Sequence, residues 1–451
     1  MTSLEKNLIL SVNAGSSSLK ISLFSVPFPN GQKPKDFSHP EPVNLVFVSS
    51  ISSISAPPAK FTFKLATGEQ RLKDEPVESI KDHSTAFHHF LEYLEKHCSI
   101  PKQRIVYVCH RVVHGGDYLE RVEINQEAYH HLERLSDLAP LHNGAALSVI
   151  KVCVDALSET RSIAYFDTSF HRSIPHHISS YAIDQKIATE RGLKKYGFHG
   201  LSYGFILRSV SRFLDKPAES LNLILLHLGS GASACAIKAG KSYDTSMELT
   251  PLSGLPGATR AGSIDPSLIF HYTNKAGRIT HDPSMATHVG VTMAEDILNR
   301  KAGWKAITGT TDFGEVTSKA DLSASSTNEE DEEELRKSNP ARLAFDIFVD
   351  RILHFVGSYY LKLGSDVDAL VFAGGIGEKG ADLRRIIGQK VECLGFSKID
   401  EEMNAKAAKA DDVVMDISVE AKKKRVLVCK TDEQLEMARQ CALDQRFWEQ
   451  V

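Results

Sequence analysis

Asn13, Ser16, Ser18 and Lys20 crowd around one glycine in the stretch SVNAGSSSLKISLF, residues 11–24. An amide, two hydroxyls and an ammonium at this spacing are groups that hold phosphate. The stretch is not a P-loop, because G-x-x-x-x-G-K-[ST] is absent and no helical pattern follows it. Successive backbone N–H groups in a tight turn form an anion-holding nest without a helix. A second Gly/Ser turn, HLGSGAS, occupies 227–233, and a third glycine-rich stretch, AGGIGE, occupies 373–378. Arg111 in HRVVHGG and Arg260 in TRAGSIDP stand in glycine-rich surroundings. A phosphoryl group in transfer spreads its charge over three oxygens, which planar guanidinium forks match. Asp167 closes the apolar run IAYFD, a place from which a carboxylate can orient a nucleophile or organise Mg²⁺-bound water. His199 sits between Phe198 and Gly200 in KKYGFHGLS. A histidine with such neighbours is more often a core or capping residue, and its type alone assigns it no chemistry.

These residues need elements to place them. From Leu8 to Phe24 the pattern reads strand, turn, strand, with Leu19, Ile21 and Leu23 alternating with Lys20 and Ser22. Residues 27–58 are rich in Pro, Ser and Asn around one apolar stretch, Val43 to Val48, and read as an elaborated hairpin or insertion. Helices are expected over 84–97 and 144–157, and strands over 104–108 and 162–167. Residues 221–239 again read strand, Gly/Ser turn, strand, so the chain repeats its opening motif half a chain later. Asn339 and Pro340 supply an N-cap and a first helical position for a helix over 342–363. Residues 368–373 and 425–429 read as buried strands, the last followed by TDEQ and a terminal helix. The alternation argues an α/β fold with mixed sheets. The run SASSTNEEDEEEL, 323–335, reads as a solvated, mobile loop.

The bulk numbers exclude several classes. At 451 residues, 42% hydrophobic and 24% charged, the chain suits a soluble protein of two or three domains. A formal net charge of −4 gives no field that would draw it to nucleic acid or to an acidic membrane. Seven cysteines without a C-x-x-C pair read as reduced thiols, and no apolar run is long enough to span a bilayer. With no leader or address motif apparent, the cytoplasm is the expected compartment.

The stretches NAGSSSLK, HRVVHGG, LAPLHN, YFDTSFH, YGFHG, HLGSGAS, DTSMELTPLSGLPGATRAGSIDP, AGGIGE and TDEQ follow one another from Asn13 to Gln434. As an ordered set they resemble the acetate kinase family, part of the superfamily of acetate and sugar kinases, heat-shock ATPases and actin. The resemblance implies duplicated ribonuclease-H-like (actin-like ATPase) domains flanking an interdomain cleft. It divides the chain into 1–167 plus a terminal helix at about 434–451, and a nucleotide-binding domain over 168–433. It implies a homodimer and Mg²⁺-dependent phosphoryl transfer between ATP and acetate, giving ADP and acetyl phosphate, with Mn²⁺ as an alternative metal. Carried over by residue, Asp167, Arg111, His199 and Arg260 resemble the catalytic set, and Arg111 also the substrate-binding arginine. Val113, Leu141, Phe198 and Pro251 resemble the pocket for the acetate methyl. Asn13 and Glu433 resemble the metal-site residues. Ser16, Ser18 and Lys20 resemble first-turn nucleotide contacts. His227, Leu228, Gly229, Ser230, Gly231, Asp312, Gly375, Ile376, Gly377, Glu378 and Lys379 resemble the remaining nucleotide-binding segments. Three positions depart from the family pattern, all on the nucleotide side. Ser230 replaces an asparagine, Gly314 an arginine, and Lys379 an asparagine. ATP is the expected donor, with pyrophosphate the alternative; propionate and butyrate are alternative acceptors. A nucleotide-switched binding protein is a third reading, against which the arginine pair and the apolar pocket argue.

Overall fold

The computed structural model describes residues 7–15, 17–27, 41–98, 100–135, 140–272, 279–281, 290–322, 329–420 and 422–448. For 140–142, 279–281, 290–291 and 329 it describes the backbone alone. The chain divides into two compact units, 1–169 with 281–291 and 432–451, and 170–280 with 292–431.

The first unit is built on an eight-stranded sheet. Its strands are β1 (Leu8–Gly15), β2 (Ser18–Ser25), β3 (Asn44–Ser52), β4 (Ala59–Leu65), β5 (Gln70–Val77), β6 (Ile105–Val112), β7 (Val122–Glu123) and β8 (Arg161–Phe166). They lie in the order β5-β4-β3-β2-β1-β6-β8-β7. β1 and β2 form the expected hairpin, with Asn13 opposite Lys20 and Gly15 opposite Ser18. One face of the hairpin, Leu10, Val12, Leu19, Ile21 and Leu23, packs with Phe47, Phe61, Phe63, Phe87 and Phe90 in an apolar core. The opposite face carries Ser11, Asn13, Lys20 and Ser22, as the period of two requires. The segment read as an insertion supplies β3, which pairs along the whole of β2; residues 28–40 lie outside the described residues. β6 runs further than its apolar residues suggested, so Arg111 sits within the strand.

The second unit repeats this plan. β9 (Leu223–Leu228), β10 (Ala232–Lys238) and β11 (Lys241–Thr245) form an antiparallel meander. A separate ribbon, β12 (Ile279–His281) with β13 (Gly290–Thr292), has residues in each unit's share of the chain. β14 (Ala369–Ala373), β15 (Val414–Asp416) and β16 (Arg425–Cys429) complete a six-stranded sheet in the order β11-β10-β9-β14-β16-β15. In both sheets two strands run parallel to the first hairpin strand and an antiparallel strand closes the edge. The helix Pro340–Lys362 buries Phe345, Phe348, Ile352 and Val356 against this sheet's apolar face. Asn339 caps it as expected, accepting from the N–H groups of Ala341 and Arg342. These are mixed α/β sheets in a two-unit actin-like architecture.

The acidic run differs from its expectation as a loop. Residues Glu329–Ser338 form a helix, while 323–328 lie outside the described residues. Acidic side chains at its start and Arg336 and Lys337 in its last turn suit the helix dipole. Glu332 accepts from Arg336 at 2.8 Å and from Arg342 at 2.7 Å, which ties the run to the long helix.

Candidate functional site

In the first unit, four residues from four stretches converge. Arg111 on β6 donates through Nη2 to Asp167 Oδ2 at 2.6 Å, and its Nε lies 3.2 Å from the same oxygen. Its Nη1 donates to Asn13 Oδ1 at 3.3 Å and lies 3.5 Å from Glu433 Oε2. Asn13 Nδ2 donates to the same Glu433 oxygen at 2.8 Å. Parallel pairing of β6 with β8, Arg111 opposite Tyr165, brings Arg111 beside Asp167, which follows β8 directly. Asp167 is fully buried, and Arg111 is 16% exposed at its side chain. Burial alone would lower the guanidinium pKa, but the Asp167 and Glu433 carboxylates reverse that and push it up. The arginine is therefore a fixed cation with a preset orientation.

Glu433 is placed by the helix Glu433–Leu443, whose N-cap Asp432 accepts from the N–H of Leu435 at 2.8 Å. Ser11 Oγ donates to the Gln434 carbonyl at 2.9 Å, and Gln434 Nε2 returns a bond to the Ser11 carbonyl. This docks the helix start on the polar face of the hairpin. Lys20, directly across from Asn13, is exposed on that face. Ser18 lies at the hairpin turn; Ser16 lies outside the described residues.

The donor set fits Mg²⁺. The pair assigned to the metal, Asn13 and Glu433, offers an amide oxygen and a carboxylate, and a single Glu433 oxygen, Oε2, takes both Asn13 and Arg111. Mg²⁺ is commonly held through one or two carboxylates with water and substrate phosphate rather than by a protein cage. Among the described residues no group of three His, Cys, Asp or Glu could chelate a metal alone.

The loop after β6 is pinned by a motif whose role was not legible in the sequence. Asn143, from LAPLHN, accepts from the His114 N–H at 3.0 Å and donates to the His114 carbonyl at 2.9 Å. A Cβ on Gly115 would lie 2.6 Å from the Phe166 ring, so glycine is required for this loop to pass β8's end. Val113 is half-buried here. Leu141 is the second residue of the helix Pro140–Ala156, and its side chain is outside the described residues.

In the second unit, His199 is the N-cap of the helix Gly200–Leu214 with φ 58°, a left-handed conformation unfavourable for a residue with a Cβ. The segment before it is tied down: Lys195 pairs with Asp244 at 2.9 Å, and His171 Nε2 meets the carbonyl of buried Phe198 at 2.9 Å. His199 Nδ1 lies 2.8 Å from Ser233 Oγ on β10. Its ring stacks on His227, at the end of β9, with centroids 4.2 Å apart. His227 Nδ1 in turn meets Ser202 Oγ at 2.7 Å, and Ser202 meets Thr431 Oγ1 at 2.8 Å.

Arg260 lies over the second turn. Its Nη1 donates to the carbonyl of buried Pro251 at 3.1 Å. A Cβ on Gly231 would stand 1.9 Å from Arg260 Nη2. The Ala258 N–H donates to the Ser230 carbonyl at 2.9 Å, which holds the arginine's loop to the Gly229–Gly231 turn. Sequence spacing thus separates residues that the fold joins: His199, His227, Ser230, Gly231 and Arg260 form one neighbourhood.

The AGGIGE stretch continues β14 into a helix, Gly374–Lys379. That helix holds Gly375, Ile376, Gly377, Glu378 and Lys379 and packs by the end of β9, where Leu228 lies. Glu378 accepts from the Thr431 N–H at 3.2 Å, and burial raises its carboxyl pKa. Fully buried Arg384 donates to the carbonyls of Gly377 and Glu378 at 2.7 and 2.8 Å. Asp312 N-caps the helix Phe313–Lys319, its carboxylate accepting from the Gly314 N–H at 2.8 Å.

Comparison with known proteins agrees with this chemistry. The model of the Acetokinase family matches residues 8–439. A "Probable acetate kinase" from Neurospora crassa is 48% identical, covering 98% of this chain and 95% of that protein. The crystal structure of a propionate kinase from Francisella tularensis aligns with TM-score 0.76 at 31% identity, covering 96% of this chain and 98% of that one. Porphyromonas gingivalis acetate kinase aligns with TM-score 0.74 at 27% identity, with the same coverage. The matched region contains Asn13, Arg111, Asp167, His199, Arg260 and Glu433, and the chain belongs to the Acetokinase family.

Proposed function

We propose that this chain is an acetate kinase that transfers a phosphoryl group reversibly between ATP and acetate, giving ADP and acetyl phosphate. The observation that carries the reading is the convergence of Asn13, Arg111, Asp167 and Glu433 in a member of the Acetokinase family. Acetate is ionised at neutral pH, as carboxylic acids are, and is already a nucleophile. No strong general base is needed, and catalysis reduces to positioning and charge neutralisation.

Asp167 fixes the Nε edge of Arg111, so the guanidinium can meet the acetate carboxylate or the transferring group without reorienting. Val113, Leu141, Phe198 and Pro251 are assigned to the methyl of acetate. An added methylene changes such a fit by only about 1–3 kcal/mol, so propionate is expected as a poorer substrate. His199 and Arg260 are assigned to the charge that develops on the phosphoryl oxygens. The Gly229–Gly231 turn, the Gly374–Lys379 helix, Asp312, Ser18 and Lys20 are assigned to the nucleotide, with Ser16 assigned from sequence alone. When bound, Mg²⁺ neutralises phosphate charge, and Asn13 and Glu433 would hold its water shell. A homodimer in the cytoplasm completes the reading. No helix among the described residues is long and apolar enough to cross a membrane.

Trapping with hydroxylamine tests the proposal, because acetyl phosphate is converted to acetohydroxamate. Hydroxamate is expected only with ATP, Mg²⁺ and acetate together. Its absence overturns the assignment. Replacing ATP with GTP or pyrophosphate in the same assay identifies the donor, and replacing acetate with propionate or butyrate orders the acceptors.

A further inference from the structure

We propose that Ser233 and Tyr203 are positioning residues that set the tautomer of His199, holding Nδ1 as an acceptor so that Nε2 carries the ring proton. The inference rests on the reading of His199 as a donor to the transferring phosphoryl group.

Three polar side chains meet inside the second unit. Ser233 Oγ lies 2.8 Å from His199 Nδ1 and 2.5 Å from the Tyr203 hydroxyl. Ser233 and Tyr203 are fully buried, and His199 is 8% exposed. Tyr203 is one helical turn beyond His199, and its N–H donates to the His199 carbonyl at 2.9 Å. The same turn that seats the histidine backbone thus brings the phenol to its ring partner.

Among the described residues Ser233 Oγ meets only these two side chains, and a buried hydroxyl keeps its own hydrogen bonded, so hydrogen counting leaves two arrangements. A serine hydroxyl donates one hydrogen and accepts others. In one arrangement Tyr203 donates to Ser233 and Ser233 donates to His199 Nδ1. In the other, His199 Nδ1–H donates to Ser233, which donates to Tyr203. A phenol is a much stronger acid than an alkanol and therefore the stronger donor, and a 2.5 Å separation suits a bond with the phenol donating. Accepting that bond polarises the Ser233 hydroxyl and strengthens it as a donor in turn. The chain runs Tyr203 to Ser233 to His199, and a neutral imidazole that accepts at Nδ1 must carry its hydrogen on Nε2. An Nε2–H is what a developing phosphoryl charge needs, and an electron lone pair there would repel it.

The test is a cycle in the full-length protein, read as kcat and KM for acetate and ATP, with the melting temperature recorded for each variant. His199→Ala lowers kcat if the reading of the histidine holds. Ser233→Ala and Tyr203→Phe are each expected to lower kcat about tenfold, the worth of one correctly set hydrogen bond. KM for both substrates stays within about twofold. Adding Ser233→Ala to His199→Ala costs nothing further, because the serine acts only through the ring. Nitrogen-15 resonances of the His199 imidazole are expected to report protonated Nε2 and bare Nδ1, and a mixture of tautomers in Tyr203→Phe or Ser233→Ala. Unchanged activity in His199→Ala sinks the underlying reading. A damaged His199→Ala beside wild-type kcat in both hydroxyl variants sinks the inference alone. Nδ1-protonated His199, or an equal Ser233→Ala loss with and without the ring, also overturns it.

Discussion

At the scale of single residues, the second turn depends on the absence of one methyl group. Arg260 Nη2 occupies the space that a Cβ on Gly231 would need, at 1.9 Å. No rotation of an added methyl avoids that clash, so alanine at 231 must displace the guanidinium. Arginines that meet a transferring phosphoryl group are worth on the order of 10³ or more in kcat. Gly231→Ala is therefore expected to lose kcat to within about tenfold of Arg260→Ala, and the double variant is expected to be no worse than Arg260→Ala alone. Steady-state kinetics of the three variants check this. Near-normal kcat in Gly231→Ala would show that the arginine acts from another position. Some of this chemistry was legible in residue types. Arg111, Asp167 and Arg260 announced themselves by charge beside glycines or at the end of an apolar run. The pairings did not, because Asn13 and Glu433 are 420 positions apart and Ser233 is 34 from His199. Hydroxyl partners of this kind leave no spacing signal, since a buried serine in a strand looks like any other.

At the scale of elements, hydrophobic periodicity found the hairpin strands, the buried central strands and the long helices, but missed β4, β5, β7 and the helix Gly200–Leu214 and misplaced where charge settles. The acidic run reads as a loop because six carboxylates in seven residues should repel. Arg336 and Arg342 reverse that by pairing with Glu332 and Asp346, and Arg342 comes from the next helix. Long-range pairing of this sort is invisible to a local pattern. The C-terminal end follows the same logic. Asp444, just after the helix Glu433–Leu443, takes Arg446 at 2.6 Å and Arg121 Nε at 2.8 Å. Burial would raise the Asp444 pKa, but the two arginines hold it down at about 2. An aspartate depressed in the folded state stabilises the fold above its unfolded pKa of about 3.9, and that contribution fades as pH falls toward 2. Asp444→Asn is expected to cost about 2 kcal/mol at pH 7, discounted by solvent around Arg446. Urea midpoints of both proteins between pH 7 and pH 3 check the sign. The gap should narrow below pH 4, and a constant gap would assign the cost to packing instead of charge.

At the scale of the whole molecule, the duplication seen as two Gly/Ser turns extends much further than the sequence reveals. β3-β2-β1-β6-β8-β7 in the first sheet matches β11-β10-β9-β14-β16-β15 in the second, strand for strand and direction for direction. The two Gly/Ser turns are where the repeat is legible residue by residue, because apolar strands tolerate many sequences. The helix that follows each repeat belongs to the other unit. After β8 the chain enters the second unit, where Gly200–Leu214 packs on β9 and starts at His199. After β16 it returns to the first, where Glu433–Leu443 packs on β1 and β6 and starts at Glu433. Each repeat thus completes the other unit's apolar cover and delivers a candidate site residue at a helix start. Residues 432–451 should then be indispensable to folding as well as to chemistry. Met437, Ala438, Cys441 and Phe447 are buried, and losing their cover removes roughly 5 kcal/mol, comparable with the stability of a whole domain. A chain ending at Thr431 is expected to be poorly soluble, to lack a cooperative thermal transition for the first unit, and to form no hydroxamate. Full-length Glu433→Gln is expected to melt within a few degrees of the unaltered protein, as a single site substitution should, while losing most of its activity. A truncated chain that melts like the full-length protein would show that the terminal helix carries chemistry alone.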